Sequence, residues 1–113
     1  MKLFRTDLAD RPLVDSALPA PAAGTVAIGD THWRQRARVS GRVRSVRVQP
    51  WSGVATLECT LRDSTGGLVL VFLGRREVAG IRPGVHLQAE GMIGEHHGRL
   101  AILNPDYEFD PVE

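Results

Sequence analysis

From Gln35 onward the chain alternates. Ala37, Val39, Gly41 and Val43 take every second position, with Arg36, Arg38, Arg42 and Arg44 between them. A period of two predicts a half-buried strand carrying a row of arginines on its other face. The apolar phase then slips by one residue, to Val46 and Val48, which places a β-bulge near Arg44-Ser45. Gly41 within the run marks a sharp bend. Pro50-Trp51-Ser52-Gly53 reads as a turn, and a second strand follows with Ala55, Leu57, Cys59 and Leu61 on one face and Thr56, Glu58, Thr60 and Arg62 on the other. Asp63-Ser64-Thr65-Gly66-Gly67 is a strong turn signal. The third strand, Leu68 to Leu73, is apolar throughout, so its two faces are not separable by pattern.

Gly74 to Gly84 reads as a connection holding at most one helical turn. In the fourth strand Val85, Leu87, Ala89, Gly91 and Ile93 alternate with His86, Gln88, Glu90 and Met92. Gly94 to Gly98 forms a hairpin loop, Arg99 to Leu103 a short last strand, and Asn104-Pro105 ends it. Five short strands with almost no helix must close or pack, because open edges invite aggregation. The expected fold is therefore all-β: a five-stranded Greek-key barrel.

Residues 1–30 show no sustained period. Leu3, Phe4 and Leu8 could share one face of a short helix before Pro12, and Leu18 to Gly24 is rich in proline and alanine, as linkers are. The expected organisation is a flexible, mostly irregular N-terminal arm over 1–30, a barrel domain over 31–109 and an acidic tail over 110–113, with acidic character beginning at Asp106. A length of 113 residues suits one domain with a modest core.

Charge changes this picture more than composition does. The net charge is +1, but residues 31–99 carry eleven arginines against five acidic groups, whereas residues 100–113 carry four acidic groups and no basic one. A basic body with acidic ends suits an anionic ligand; a solvated surface with segregated charges is the plainer reading. The single cysteine, Cys59, allows no intrachain disulfide and falls on the apolar side of its strand. No stretch approaches the roughly 20 apolar residues of a membrane span, and the N-terminus lacks a signal-peptide core, so a cytoplasmic setting without membrane attachment is expected.

Several runs resemble a known pattern: Val39-Ser40-Gly41-Arg42-Val43, Leu61-Arg62-Asp63-Ser64-Thr65-Gly66, Val71-Phe72-Leu73-Gly74-Arg75, Ile81-Arg82-Pro83-Gly84, Ala89-Glu90-Gly91, and Leu103-Asn104-Pro105-Asp106-Tyr107. Their order and spacing resemble the OB-fold nucleic-acid-binding domains. They are similar to the wedge domain of RecG-type helicases and to the anticodon-binding domains of some aminoacyl-tRNA synthetases. The whole chain resembles small stand-alone OB-fold proteins of actinobacteria. The resemblance spans about Arg36 to Glu108 and implies a non-enzymatic module that binds nucleic acid, DNA or RNA, in single-stranded form. OB-folds also bind oligosaccharides and proteins, so a protein-interaction or oligomeric assembly module, using the apolar third strand or Val85 to Ile93, is the alternative.

In such barrels the ligand lies across strands two and three, between the loops joining strands one to two and four to five. Those loops hold Trp51 and His96-His97. Trp51 is the candidate stacking platform, or else a lid on the barrel. Arg44, Arg47 and Arg62 would border the same face. Arg75, Arg76, His97 and Arg99 are further candidate contacts, each equally readable as a solvated surface group. Phe72 is expected in the core and Trp33 packed on the barrel. His96-His97 suggests a metal, but adjacent residues on a tight hairpin should point to opposite sides, and no Cys-x-x-Cys or His-Glu-x-x-His accompanies them. No metal, no cofactor and no catalytic residue is expected: the serines lack a nucleophile elbow, and Gly66-Gly67 is a turn rather than a phosphate loop.

Overall fold

The computed structural model describes residues 18–110. The expected helix around Leu3 to Leu8 and the last three residues of the tail lie outside them. Six strands form: β1 (Arg36–Trp51), β2 (Val54–Asp63), β3 (Gly66–Leu73), β4 (His86–His96), β5 (Arg99–Leu103) and β6 (Asp106–Phe109). The first five close into a ring. β1, β2 and β3 run antiparallel in sequence order, β3 pairs in parallel with β5, β5 returns antiparallel to β4, and β4 pairs with β1. The spatial order β4-β1-β2-β3 is that of a Greek key, and the chain is the five-stranded all-β barrel that its alternation predicts.

β1 makes closure possible by serving two neighbours. Its first part, Arg36 to Arg42, pairs with β4, and Arg42 to Trp51 pairs with β2. The switch falls at Gly41, where a Cβ would lie 2.6 Å from the Arg62 carbonyl oxygen, a distance no side chain tolerates. The register slips between Val43 and Ser45, so the bulge sits where the phase change predicts it. Inside the ring Val39, Leu57, Cys59, Leu61, Leu70, Leu87, Ile93 and Ile102 are buried, each large side chain contributing about 1.5–3 kcal/mol by leaving water. Phe72 joins them, as expected.

One end of the barrel is stopped by a single 3₁₀ turn, Ile28–Asp30, whose Ile28 is buried. Asp63, fully buried, anchors it. Its Oδ2 accepts the Ile28 N–H at 3.0 Å, and its Oδ1 accepts the N–H groups of Thr65 and Gly66 and the Thr65 hydroxyl, at 2.7, 3.0 and 2.6 Å. The Asp-Ser-Thr-Gly run is thus both a turn and a strut. The irregular segment before it also lies against the barrel: Ser64 N–H donates to the Pro19 carbonyl, Ala22 N–H to the Ser40 hydroxyl and Val26 N–H to the Arg38 carbonyl. From residue 18 onward, the stretch read as arm and linker is docked.

Three further expectations change. The acidic stretch after Pro105 is partly a strand, β6, which pairs with Leu87 to Glu90 of β4. Its sequence Asp-Tyr-Glu-Phe alternates acid with aromatic, and the charge obscured the alternation. Its Glu108, together with Glu90, pairs with Arg38, and Glu90 also meets Arg36. Part of the arginine row is therefore neutralised by the acidic end of the chain. Trp33 does not pack on the barrel: it is 60% exposed. It occupies the tip of a turn closed by the Gln35 N–H to the His32 carbonyl, with Arg34 at φ 72° and its guanidinium over the indole ring.

Candidate nucleic-acid interface

The outward face of β2, β3 and β5 can be built from the register. Glu58 lies opposite Arg47 on β1 and opposite Val71 on β3; Val71 lies opposite Leu103 on β5. Ala101 pairs with Val69 on one side and with Gly94 on β4 on the other. All of these project away from the barrel core. The floor they make is nonetheless dry at its centre: Val69, Val71 and Ala101 are buried and form a second small apolar cluster with Leu73. β3 is buried on both faces from Leu68 to Phe72, which is why its pattern is uniformly apolar.

Two hairpins close over one side of this floor. The β1–β2 turn has Ser52 and Gly53 at φ 53° and 77°, and the β4–β5 turn has His97 and Gly98 at φ 53° and 78°. Both are two-residue turns with left-handed central residues, and a glycine at the second position relieves the strain. Trp51 and His96 hold equivalent places, each just before its turn. Their rings meet edge to face at 5.1 Å. Beneath them, His96 Nε2 lies 2.7 Å from Glu58 Oε2, and Arg47 Nε donates to Glu58 Oε1 at 3.1 Å. Glu58 and His96 are each 5% exposed, although both stand on an outward face. Burial pushes the Glu58 carboxyl up, but the hydrogen bonds and charges of His96 and Arg47 outweigh it and hold the group below its ordinary range. Next to this trio opens a cleft of about 140 Å³, bordered by Trp51, His96, Val71, Ala101, Met92 and Leu103.

The site candidates read from the sequence divide accordingly. Trp51, Arg47, His97 and Arg99 converge on this face. Arg99 reaches Thr60 Oγ1 at 3.4 Å, two strands away, so its stem crosses the floor beside Val69. Arg62 lies further along β2, half-buried over Gly67 and directly across from Arg42; its Nε is buried with no hydrogen-bond partner. Arg44 is exposed on the bulge. Arg75 and Arg76 are exposed in the loop after β3 and do not lie on the floor.

Two residues of the centre, Glu58 and His96, are not among those nucleic-acid candidates, and the sequence weighs His96 only as a metal ligand. Glu58 looks like one polar residue in an alternating strand. The available signal is positional: a tryptophan and a histidine each precede an Xaa-Gly turn, in the two hairpins that flank one face. The premise that His96 and His97 point apart also fails. Their ring centroids are 4.2 Å apart, because the left-handed backbone of His97 turns its side chain back toward its neighbour.

Among the described residues, no helix is long and apolar enough to cross a membrane. Compared with known proteins, the chain matches no family model, no curated sequence and no solved structure.

Proposed function

We propose that this chain is an OB-fold module that binds single-stranded nucleic acid across the outward face of β2, β3 and β5, without catalysing a reaction. The observation that carries the reading is the place of Trp51. It is a half-buried indole at the mouth of a cleft, on the face and between the two loops that OB-folds use for oligonucleotides. Base stacking on such a ring contributes about 1–3 kcal/mol per base. Arg62 and Arg99 supply positive charge along the path a phosphate backbone would take from the cleft. Few aromatic side chains flank Trp51, so binding is weak for one barrel and gains from several copies or from a partner.

The assembly reading has less to rest on. Leu68, Leu70 and Phe72 of β3, and Leu87, Ala89 and Ile93 of β4, are in the core, and the outward Val69 and Val71 are already buried within the chain. Met92 and Leu103, 54% and 49% exposed, lie at the rim of the same cleft, and the other exposed apolar side chains, Val48, Val54, Tyr107 and Phe109 among them, belong to neither segment.

Fluorescence anisotropy with labelled single-stranded DNA and RNA of about 15–30 nucleotides tests the proposal, because that length spans one to several OB sites. Saturable binding is expected at low salt. It should fall steeply as salt rises, through counterion release, and weaken about tenfold or more in Trp51→Ala. Absence of binding even at low salt, or binding indifferent to both Trp51→Ala and Arg62→Ala, sinks it.

A further inference from the structure

We infer that Glu58, His96 and His97 form a binding site for a divalent transition-metal ion of the zinc class. One donor atom from each lies within 4.8 Å of the other two. Two imidazoles and one carboxylate are a donor set that zinc uses where it keeps a fourth position open. Of the three, His96 also borders the cleft beside Trp51.

The geometry needs small changes only. Metal–ligand bonds of about 2.0–2.1 Å in a tetrahedron set donors about 3.4 Å apart. The His96–Glu58 contact of 2.7 Å must open by roughly 0.7 Å. The more distant donor, within 4.8 Å, must close by up to roughly 1.4 Å. The ion takes the place of the His96–Glu58 hydrogen bond. Arg47 keeps the other carboxylate oxygen, Oε1, and so fixes which oxygen faces the imidazoles. His97 is exposed, which gives the ion a way in from solvent. The positive charge of Arg47 works against the ion, so the expected affinity is moderate. None of this depends on the nucleic-acid reading.

The test uses the full chain carrying Trp33→Phe, which leaves Trp51 as the only tryptophan of the original two. Cu²⁺ is the probe: it binds such sites more tightly than Zn²⁺ and quenches a nearby indole. Saturable quenching at one equivalent is expected, with emission restored by competing Zn²⁺. His97→Asn removes one donor while suiting the left-handed backbone, which asparagine tolerates; it should weaken binding by at least about tenfold. Glu58→Gln should weaken it comparably, and His86→Asn, at the far end of β4, should leave it unchanged. Quenching that never saturates, or that is indifferent to His97→Asn, overturns the site. Loss in His97→Asn but not in a folded Glu58→Gln overturns the three-donor form of it, leaving an ordinary pair of adjacent histidines.

Discussion

β2 carries two buried carboxylates five residues apart, and they serve different parts of the molecule. Asp63 points into the stopped end of the barrel and is held largely by backbone: the N–H groups of Thr65 and Gly66 and the Thr65 hydroxyl from its own turn, and the Ile28 N–H from the 3₁₀ turn 35 positions earlier. Glu58 points outward and is held by two long side chains from other strands, His96 and Arg47. Backbone donors cannot leave without unfolding the turn; side-chain partners can rotate away at small cost. The first arrangement fixes a fold. The second keeps a charged group buried, oriented and exchangeable, which is what a ligand site needs. Burial alone does not distinguish them; the kind of partner does.

Removing Asp63 should have the largest effect. Asp63→Ala leaves the buried Ile28 N–H and the part-buried N–H groups of Thr65 and Gly66 without their acceptor; a buried one costs about 1–3 kcal/mol, and those water can reach cost less. Non-additivity brings the expected loss to about 3 kcal/mol in urea unfolding. Cys59, on the same strand, offers a second readout. Burial pushes its thiol up to about 12, so a thiol reagent labels it only when the barrel opens. Labelling should accelerate about a hundredfold in Asp63→Ala, in step with the stability loss. A loss below about 1 kcal/mol would mean that the 3₁₀ plug is not held by this carboxylate.

Glu58→Gln should cost less, about 1–2 kcal/mol at neutral pH, because the amide keeps one hydrogen bond while the charge-assisted component goes. The effect must depend on pH in one direction. The carboxyl is held below its ordinary value in the folded chain. It stays ionised there while the unfolded chain protonates around its ordinary value of 4.5. Its contribution is therefore complete above that range and lost as pH falls through the lower, folded value. Wild type and Glu58→Gln should converge in acid. A gap that persists or widens there contradicts the ionised pair.

The same contrast governs what was legible in the sequence. The local half of Asp63's role announces itself, because a turn that recruits its own backbone must be written in adjacent letters; its hold on Ile28, 35 positions away, does not. Alternation likewise places Val39, Leu57, Cys59 and Leu61 in the core, and the phase slip locates the bulge at Arg44. Glu58 and His96 were hidden because their partnership spans 38 positions and arises only when the barrel closes and brings two hairpin tips together. β6 was hidden differently: Tyr107 and Phe109 alternate with acids in so short a run that charge outweighs period. Trp33 was misplaced because hydrophobicity predicts burial, whereas a turn tip projects whatever residue occupies it.

The smallest effect should come from Arg47. Its side chain is 62% exposed while its partner's is 6% exposed, so water screens the guanidinium and a carboxylate oxygen that loses Arg47 can be hydrated along the path Arg47 leaves open. Arg47→Ala is expected to cost no more than about 1 kcal/mol, the range of exposed ion pairs, and to leave Cys59 labelling close to wild type. A double-mutant cycle with Glu58→Gln should return a small coupling, because His96 carries the buried side of the interaction. If Arg47→Ala instead costs as much as Glu58→Gln, the two behave as one buried pair. Glu58 then belongs with Asp63 as a structural carboxylate, and the distinction between backbone-held and side-chain-held groups fails in this molecule.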